Sequence, residues 1–235
     1  MQQMILRLEE SLPEIEESLF GVFEMVDIRA PNAMERFIQW LDGEDIVSFD
    51  LETVSPKEAD INTPLHADMA QIVICAMAHR KGAIVLTCPY QEEVEQSDRY
   101  WAPFIRQLRD RVFIVHNASY DMQFVYRIGR YIPDRIVDTM ALYGLVTPGR
   151  EITRIDMSQS LASAVFMVLG YKMDKSVRES FNIERFQYIT AEQCRYAAED
   201  AQWTYLLAAA LAKQIERDEI THIAELECLL TPVLI

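Results

Sequence analysis

The spacing of apolar residues along the chain predicts a domain in which strands and helices alternate. Short apolar runs predict five strands, at 23–28, 46–53, 70–79, 82–88 and 112–116. Helical spacing predicts helices at 1–22, 31–43, 99–110, 119–130, 137–146, 156–170 and from Thr190 onward. Thr190 and Gln193 fit the capping-box pattern, which marks the start of the last helix. This order of elements is typical of a mixed α/β sheet with helices on its faces.

Composition and charge restrict the class of protein. Half of the 235 residues are hydrophobic, as in soluble globular proteins, and no uncharged apolar run reaches the roughly 18 residues of a membrane span. The four cysteines form no C-x-x-C pair and are predicted to be reduced thiols of a cytoplasmic protein. The net charge is −15, but residues 99–135 carry +4 and residues 1–26 carry −5. The overall acidity therefore does not exclude a nucleic-acid partner, which needs only a local basic surface.

Two carboxylates lie at the downstream end of the predicted strand 46–53. Asp50 and Glu52 are two residues apart, so both side chains project from the same face of the strand. The solvated face of an edge strand would have the same pattern. The alternative is a pair that converges with other acids on one small volume, where charge is costly unless a divalent cation compensates it.

Two further motifs place polar side chains one helical turn apart. Asn117 and Asp121 share a face near the start of the predicted helix 119–130, where a helix cap and a first-turn acid are also expected. Tyr196 and Asp200 have the same spacing in the last helix, although a surface pair would look alike. Four carboxylates and a tyrosine, in or beside apolar segments, together favour two-metal phosphodiester hydrolysis.

The motifs FDLET, HNASYDMQF and YAAEDA resemble the three motifs of the DEDDy 3′–5′ exonucleases. The resemblance covers residues 23–212 and implies an α/β fold, a ribonuclease-H-like mixed sheet flanked by helices. It also implies two divalent metal ions, Mg²⁺ or Mn²⁺, bound by four carboxylates: Asp50, Glu52, Asp121 and Asp200. The substrate-binding residues that it implies are Asn117, Thr53 and Tyr120.

The resemblance also implies how the catalytic residues divide the work. Asp50 would bridge the two ions, and Tyr196 would orient the attacking water. A phenol with an ordinary pKa of about 10 is a poor base at neutral pH, so Tyr196 is not expected to remove a proton. His116 lacks a metal-ligand spacing and is predicted to be a hydrogen-bonded histidine at a strand end.

The tail suggests what the domain is attached to. IAELECLLTPVLI is similar to the segment that leads from the exonuclease to the polymerase domain in bacterial DNA polymerase I. An ordinary C-terminal amphipathic helix would have the same pattern. The resulting prediction is an acidic helix at 1–22, an exonuclease domain at 23–212, and the start of a connection to a polymerase domain at 213–235.

Three functions compete at this point. The leading hypothesis is a monomeric proofreading domain of a family A DNA polymerase, which acts on single-stranded DNA 3′ ends and has no membrane partner. A free-standing RNA exonuclease similar to ribonuclease D has the same three motifs. A non-catalytic strand-binding domain is the third alternative, and the presence of all five functional residues argues against it.

Overall fold

The computed structural model describes residues 22–54, 68–147, 159–177 and 188–235. Within these ranges the strands are β1 Phe23–Asp27, β2 Ile46–Val54, β3 Gln71–His79, β4 Gly82–Thr87, β5 Val112–Val115 and β6 Ile136–Asp138. The helices are α1 Ala33–Leu41, α2 Val94–Gln107, α3 Ala118–Gly129, α4 Thr139–Val146, α5 Leu161–Leu169, α6 Ala191–Arg217 and α7 Thr221–Leu234. The five strands predicted from the sequence are all present.

The six strands form one sheet in the order β1–β4–β3–β2–β5–β6. Strands β2, β3 and β4 pair antiparallel, β5 and β6 continue the sheet parallel to β2, and β1 lies parallel to β4 at the opposite edge. The mixed sheet with flanking helices is thus confirmed. Strand β2 lies between β3 and β5, so the interpretation of Asp50 and Glu52 as an edge-strand pair is wrong. Its pairing with β5 covers Ile46–Ser48, and Asp50 and Glu52 pair with β3.

The alternation of side chains along β2 separates two layers of helices. The apolar set is buried in a core shared with α1, α2 and α3, and it consists of Val47, Phe49 and Leu51. The alternate set, which contains Asp50 and Glu52, faces the long helix α6. Both carboxylates therefore point away from the larger core and toward the helix that carries the third motif.

Ser48 ties β2 to its neighbours on this second face. Its hydroxyl donates to the Ala201 carbonyl of α6 at 2.7 Å and accepts from the Ala78 amide of β3 at 3.1 Å. The side chain is completely buried. This one hydroxyl therefore satisfies two backbone groups and fixes the distance between α6 and the strand that carries Asp50.

Helix α6 begins and packs as its sequence predicts. The Thr190 hydroxyl accepts from the Gln193 amide at 3.1 Å, and Gln193 Oε1 accepts from the Thr190 amide at 2.9 Å, which completes a capping box. Downstream, Ala197, Ala198 and Ala201 are fully buried against β3 and β4. Small side chains at this contact allow the helix to lie close to the sheet.

The prediction of a single helix over 137–146 is wrong at its start. Ile136–Asp138 is a strand that pairs parallel to β5, and the helix begins only at Thr139. A three-residue strand is too short to show a period of its own, and its identity depends on pairing with a distant segment. The predicted helix at 1–22 lies outside the described residues apart from Val22.

Two features of the described chain bear on its environment. Four buried cysteines carry free thiols and form no disulfide: Cys75, Cys88, Cys194 and Cys228. Among the helices in the four described ranges, none is long and apolar enough to cross a membrane.

We expect Ser48→Ala to lower the free energy of unfolding by about 1–3 kcal/mol, because the Ala78 amide and the Ala201 carbonyl lose a buried partner. Urea denaturation in EDTA would measure this change, with a constant slope as evidence that the unfolded state is unaltered. Ser176→Ala, at an exposed serine, is the control. A loss of stability no larger than that of the control would contradict the role assigned to Ser48.

Candidate active site

Three carboxylates from two elements converge on the α6 face of the sheet. Asp50, Glu52 and Asp200 each offer a ligand oxygen, and these oxygens lie within 4.8 Å of one another. Tyr196 and Asp200 are only 6% and 7% exposed, so the interpretation of this pair as a surface feature is wrong. The structure thus brings together the first and third sequence motifs.

The sheet is irregular beside this cluster. The pairing of β2 with β3 shifts between Glu52 and Thr53, which oppose Ile74 and Ile72, so Val73 is an extra residue of β3. A bulge of this kind bends a strand and changes the direction of nearby side chains. The geometry of the end of β2 therefore depends on its neighbour as well as on its own alternation.

The fourth carboxylate, Asp121, lies in the first turn of α3 and is 3% exposed. Burial and the negative charge of Asp50 raise its pKa well above the ordinary value, although a hydrogen bond from the Leu51 backbone opposes the rise. Within the described residues, no group hydrogen-bonds to its Oδ1 atom. A buried acid with an unpartnered oxygen beside another acid fits a divalent cation, which supplies the missing positive charge.

Asn117 occupies the N-cap position of α3, but its side chain does not cap the helix. Its backbone is left-handed (φ 76°, ψ 66°), and its Oδ1 accepts from the Ser119 hydroxyl at 2.9 Å. The Asp138 carboxylate instead accepts from the amides of Asn117, Ala118 and Met140, at 3.0, 2.8 and 2.9 Å. The interpretation of Asn117 as a simple cap is therefore wrong. Asp138, which the sequence analysis missed, positions the turn that carries the second motif.

His116 is hydrogen-bonded at both ring nitrogens. Nε2 lies 2.7 Å from the Gln159 carbonyl, and Nδ1 lies 2.9 Å from the Thr139 hydroxyl. A carbonyl can only accept, so Nε2 carries a proton, and burial lowers the pKa of the ring so that the neutral form is favoured. The predicted role of a hydrogen-bonded histidine at a strand end is confirmed.

The Tyr196 hydroxyl lies beside Asp200 and is held by a cation. Burial, reinforced by the charge of Asp200, raises the pKa of Tyr196 above its ordinary value, so the phenol stays protonated at neutral pH. The Lys175 ammonium donates to the Tyr196 hydroxyl at 3.1 Å and to the two Asp200 oxygens at 2.9 and 2.7 Å. Lys175 was not among the residues predicted from the sequence.

The predicted substrate contacts Thr53 and Tyr120 lie together at the margin of the carboxylate cluster. Their hydroxyls hydrogen-bond to each other and so join the end of β2 to the first turn of α3. The Tyr120 ring packs edge-on against Phe124, with ring centroids 5.6 Å apart. The charges of Asp121, Glu52 and Asp50 all act on the Tyr120 hydroxyl. Contact with substrate stays a prediction for both residues.

Comparison with known proteins identifies the class to which this site belongs. Residues 25–216 match the family model described as 3′–5′ exonuclease. Ribonuclease D of Serratia proteamaculans is 30% identical over 134 residues, which are 56% of this chain and 34% of that protein. The chain thus spans about a third of the length of this relative.

Solved structures share the fold. Escherichia coli ribonuclease D, an exoribonuclease involved in structured RNA processing, superposes with a TM-score of 0.64 at 19% identity, over 90% of this chain and 50% of that chain. Brucella melitensis NrnC, solved with bound Mg²⁺ and with pGG, superposes with a TM-score of 0.61 at 19% identity, over 90% and 89% of the two chains. The predicted ribonuclease-H-like fold is confirmed.

The chain belongs to the 3′–5′ exonuclease family. The prediction of two divalent metal ions is confirmed by this membership together with the carboxylate cluster at Asp50, Glu52 and Asp200. The polymerase context predicted from the tail finds no support, because the relatives are named as ribonucleases.

We expect Asp121→Asn to raise the melting temperature in EDTA while it abolishes cleavage. A carboxyl whose pKa is raised in the folded state costs stability once the pH exceeds its unfolded pKa of about 4, so the gain should vanish near that pH and grow as the pH rises above it. Thermal unfolding at a series of pH values from about 4 upward would measure this gain as a rising difference in melting temperature from the wild type. Asp134→Asn, at an exposed acid, is the control. Equal destabilisation at all pH values would contradict the assignment.

Proposed function

We propose that this protein removes nucleotides from the 3′ ends of RNA by two-metal hydrolysis. The observation that carries the proposal is the 30% identity to a ribonuclease D over 134 residues. The family membership supports 3′–5′ exonuclease activity, and the names of the relatives support RNA as the substrate class. The ribonuclease D-like alternative is therefore preferred over the proofreading hypothesis.

The residues that would hold the cations are the four carboxylates of the three motifs. Asp50, Glu52 and Asp200 would share one ion, and Asp50 and Asp121 the second. Bound divalent cations would stabilise the attacking oxygen and the leaving oxygen during cleavage of the phosphodiester. This arrangement stays a proposal for the individual residues.

Tyr196 would contribute a positioned hydrogen bond. Its raised pKa keeps the hydroxyl protonated, so the group can donate to the attacking water or to the phosphate but cannot act as a base. Ser48 and the buried alanine face of α6 hold this helix against β2, so the phenol keeps a fixed place relative to Asp50. The protein thereby holds the Tyr196 hydroxyl in a fixed orientation relative to the reacting groups.

The proofreading hypothesis was based on the tail. Residues 221–234 form α7, whose Ala224 and Cys228 pack into a buried apolar cluster with residues of β6 and α6, among them Val137 and Leu211. Several large apolar side chains of this helix are nevertheless exposed, among them Leu226, Leu229, Leu230, Val233 and Leu234. Both interpretations of the tail therefore stay open, and the preference for RNA rests on the ribonuclease relatives.

The first test compares RNA and DNA of the same sequence. We expect 5′-labelled single-stranded RNA to be shortened from its 3′ end, in Mg²⁺ or Mn²⁺, roughly 10-fold faster than DNA, as one or two hydrogen bonds to the 2′-hydroxyl would produce. The dinucleotide pGG should be included, because NrnC was solved with it and matches this chain over 89% of its length. Faster cleavage of DNA would contradict the proposal and restore the proofreading hypothesis.

The second test separates Tyr196 from the proposed metal ligands. Tyr196→Phe keeps the ring and its packing but loses one hydrogen bond, and it should slow single-turnover cleavage by on the order of 10–1,000-fold. Asp200→Ala removes a ligand and should cost much more, together with a loss of Mn²⁺ affinity. Calorimetric metal titrations of both variants provide the comparison. If Tyr196→Phe weakened Mn²⁺ binding as much as Asp200→Ala, its assigned role would be wrong.

A further inference from the structure

A cation from the protein itself lies at the carboxylate cluster. The Lys175 Nζ atom is 2.7 and 2.9 Å from the two oxygens of Asp200, and the same atom is 4.9 Å from the centre of the Tyr196 ring. The lysine side chain is 28% exposed, so most of its surface is covered by the protein. Both oxygens of a proposed metal ligand are therefore already engaged by a positive charge.

The segment that carries Lys175 is anchored on α6. Gly170, whose backbone is left-handed, follows the last residue of α5, and both Tyr171 and Lys175 beyond it contact α6. The Tyr171 ring stacks on Trp203, with centroids 4.3 Å apart, one helical turn from Asp200. The anchored segment places Lys175 over the third motif.

We propose that Lys175 is a resident counter-cation, which neutralises Asp200 before metal binding and is displaced when a divalent ion enters. An ion shared by Asp50, Glu52 and Asp200 must take an Asp200 oxygen that Lys175 now uses. An ammonium and a divalent ion at the same carboxylate also repel each other. The two cations therefore compete for one position.

The exchange has a consequence for Tyr196. The same ammonium donates to the Tyr196 hydroxyl, so its departure removes one contact of a phenol that is also hydrogen-bonded to Asp200. Metal loading would then also change the hydrogen bonding of Tyr196. A site without metal would hold Tyr196 in a different hydrogen-bond arrangement from a loaded one.

This inference depends on the metal site of the proposed function but not on the choice between RNA and DNA, so it is tested without nucleic acid. Calorimetric Mn²⁺ titrations would compare the wild type with Lys175→Met, Lys175→Arg and, as a matched control, Lys172→Met. Lys172 lies three residues earlier in the same segment and is exposed.

Removing the competing charge should strengthen Mn²⁺ binding by roughly 10–100-fold in Lys175→Met, as expected for loss of a charge-assisted hydrogen bond. Lys175→Arg keeps the charge and should bind close to the wild-type level, and Lys172→Met should be unchanged. In EDTA, Lys175→Met should also melt at a lower temperature than the wild type. Unchanged or weaker Mn²⁺ binding by Lys175→Met would overturn the proposal while leaving the exonuclease assignment intact.

A second measurement uses only the wild-type protein and does not depend on how a variant folds. Lysine-directed acylation followed by mass spectrometry should modify Lys175 slowly in EDTA and several-fold faster in saturating Mn²⁺. The rate at Lys172 should be the same in both conditions. A Lys175 rate that stays constant or falls with Mn²⁺ would overturn the proposal. Absence of Mn²⁺ binding in every form would overturn the metal site as well.

Discussion

Mutual repulsion among four carboxylates is the constraint on which the arrangement of this domain depends. Asp50, Glu52, Asp121 and Asp200 come from three elements, and burial beside the charge of Asp50 makes the ionised form of Asp121 costly. The convergence persists because apolar packing on both faces of the sheet fixes β2, α3 and α6 independently of the charges. Hydrophobic packing thus holds together a carboxylate cluster in which Lys175 offsets the charge of Asp200 and divalent cations would offset the rest.

The positions of these acids were predictable to the extent that they follow from local periodicity. The alternation of β2 placed Asp50 and Glu52 on one face, and the i, i+4 spacing placed Tyr196 beside Asp200 on α6. The capping box at Thr190 gave the start of α6 within one residue. Each of these depends on a repeat that a few neighbouring residues define. The order of the strands in the sheet depends on pairing between distant segments, so the local pattern of the sequence could not predict it.

Two residues that shape the site were missed for the same physical reason. Asp138 follows a strand of three residues whose identity comes from pairing with β5, so its segment resembled a continuous helix. An aspartate just before a helix is a common N-cap, and this signal could have marked the boundary. Lys175 lies in a segment without periodicity, which tertiary contacts with Trp203 and Asp200 hold in place. No local pattern encodes such a contact.

The three motifs also explain why the sequence could not choose between DNA and RNA. The carboxylates and Tyr196 act on the phosphodiester, which both nucleic acids contain, so the same residues serve either substrate. Discrimination must come from groups that meet the sugar or the base, because the 2′-hydroxyl is the difference at the reacting nucleotide. Thr53 and Tyr120 present hydroxyls at the margin of the cluster, yet these are bonded to each other. A substrate hydroxyl that contacted either one would have to share or replace that bond, so selectivity would depend on a difference in hydrogen-bond energy and not on charge.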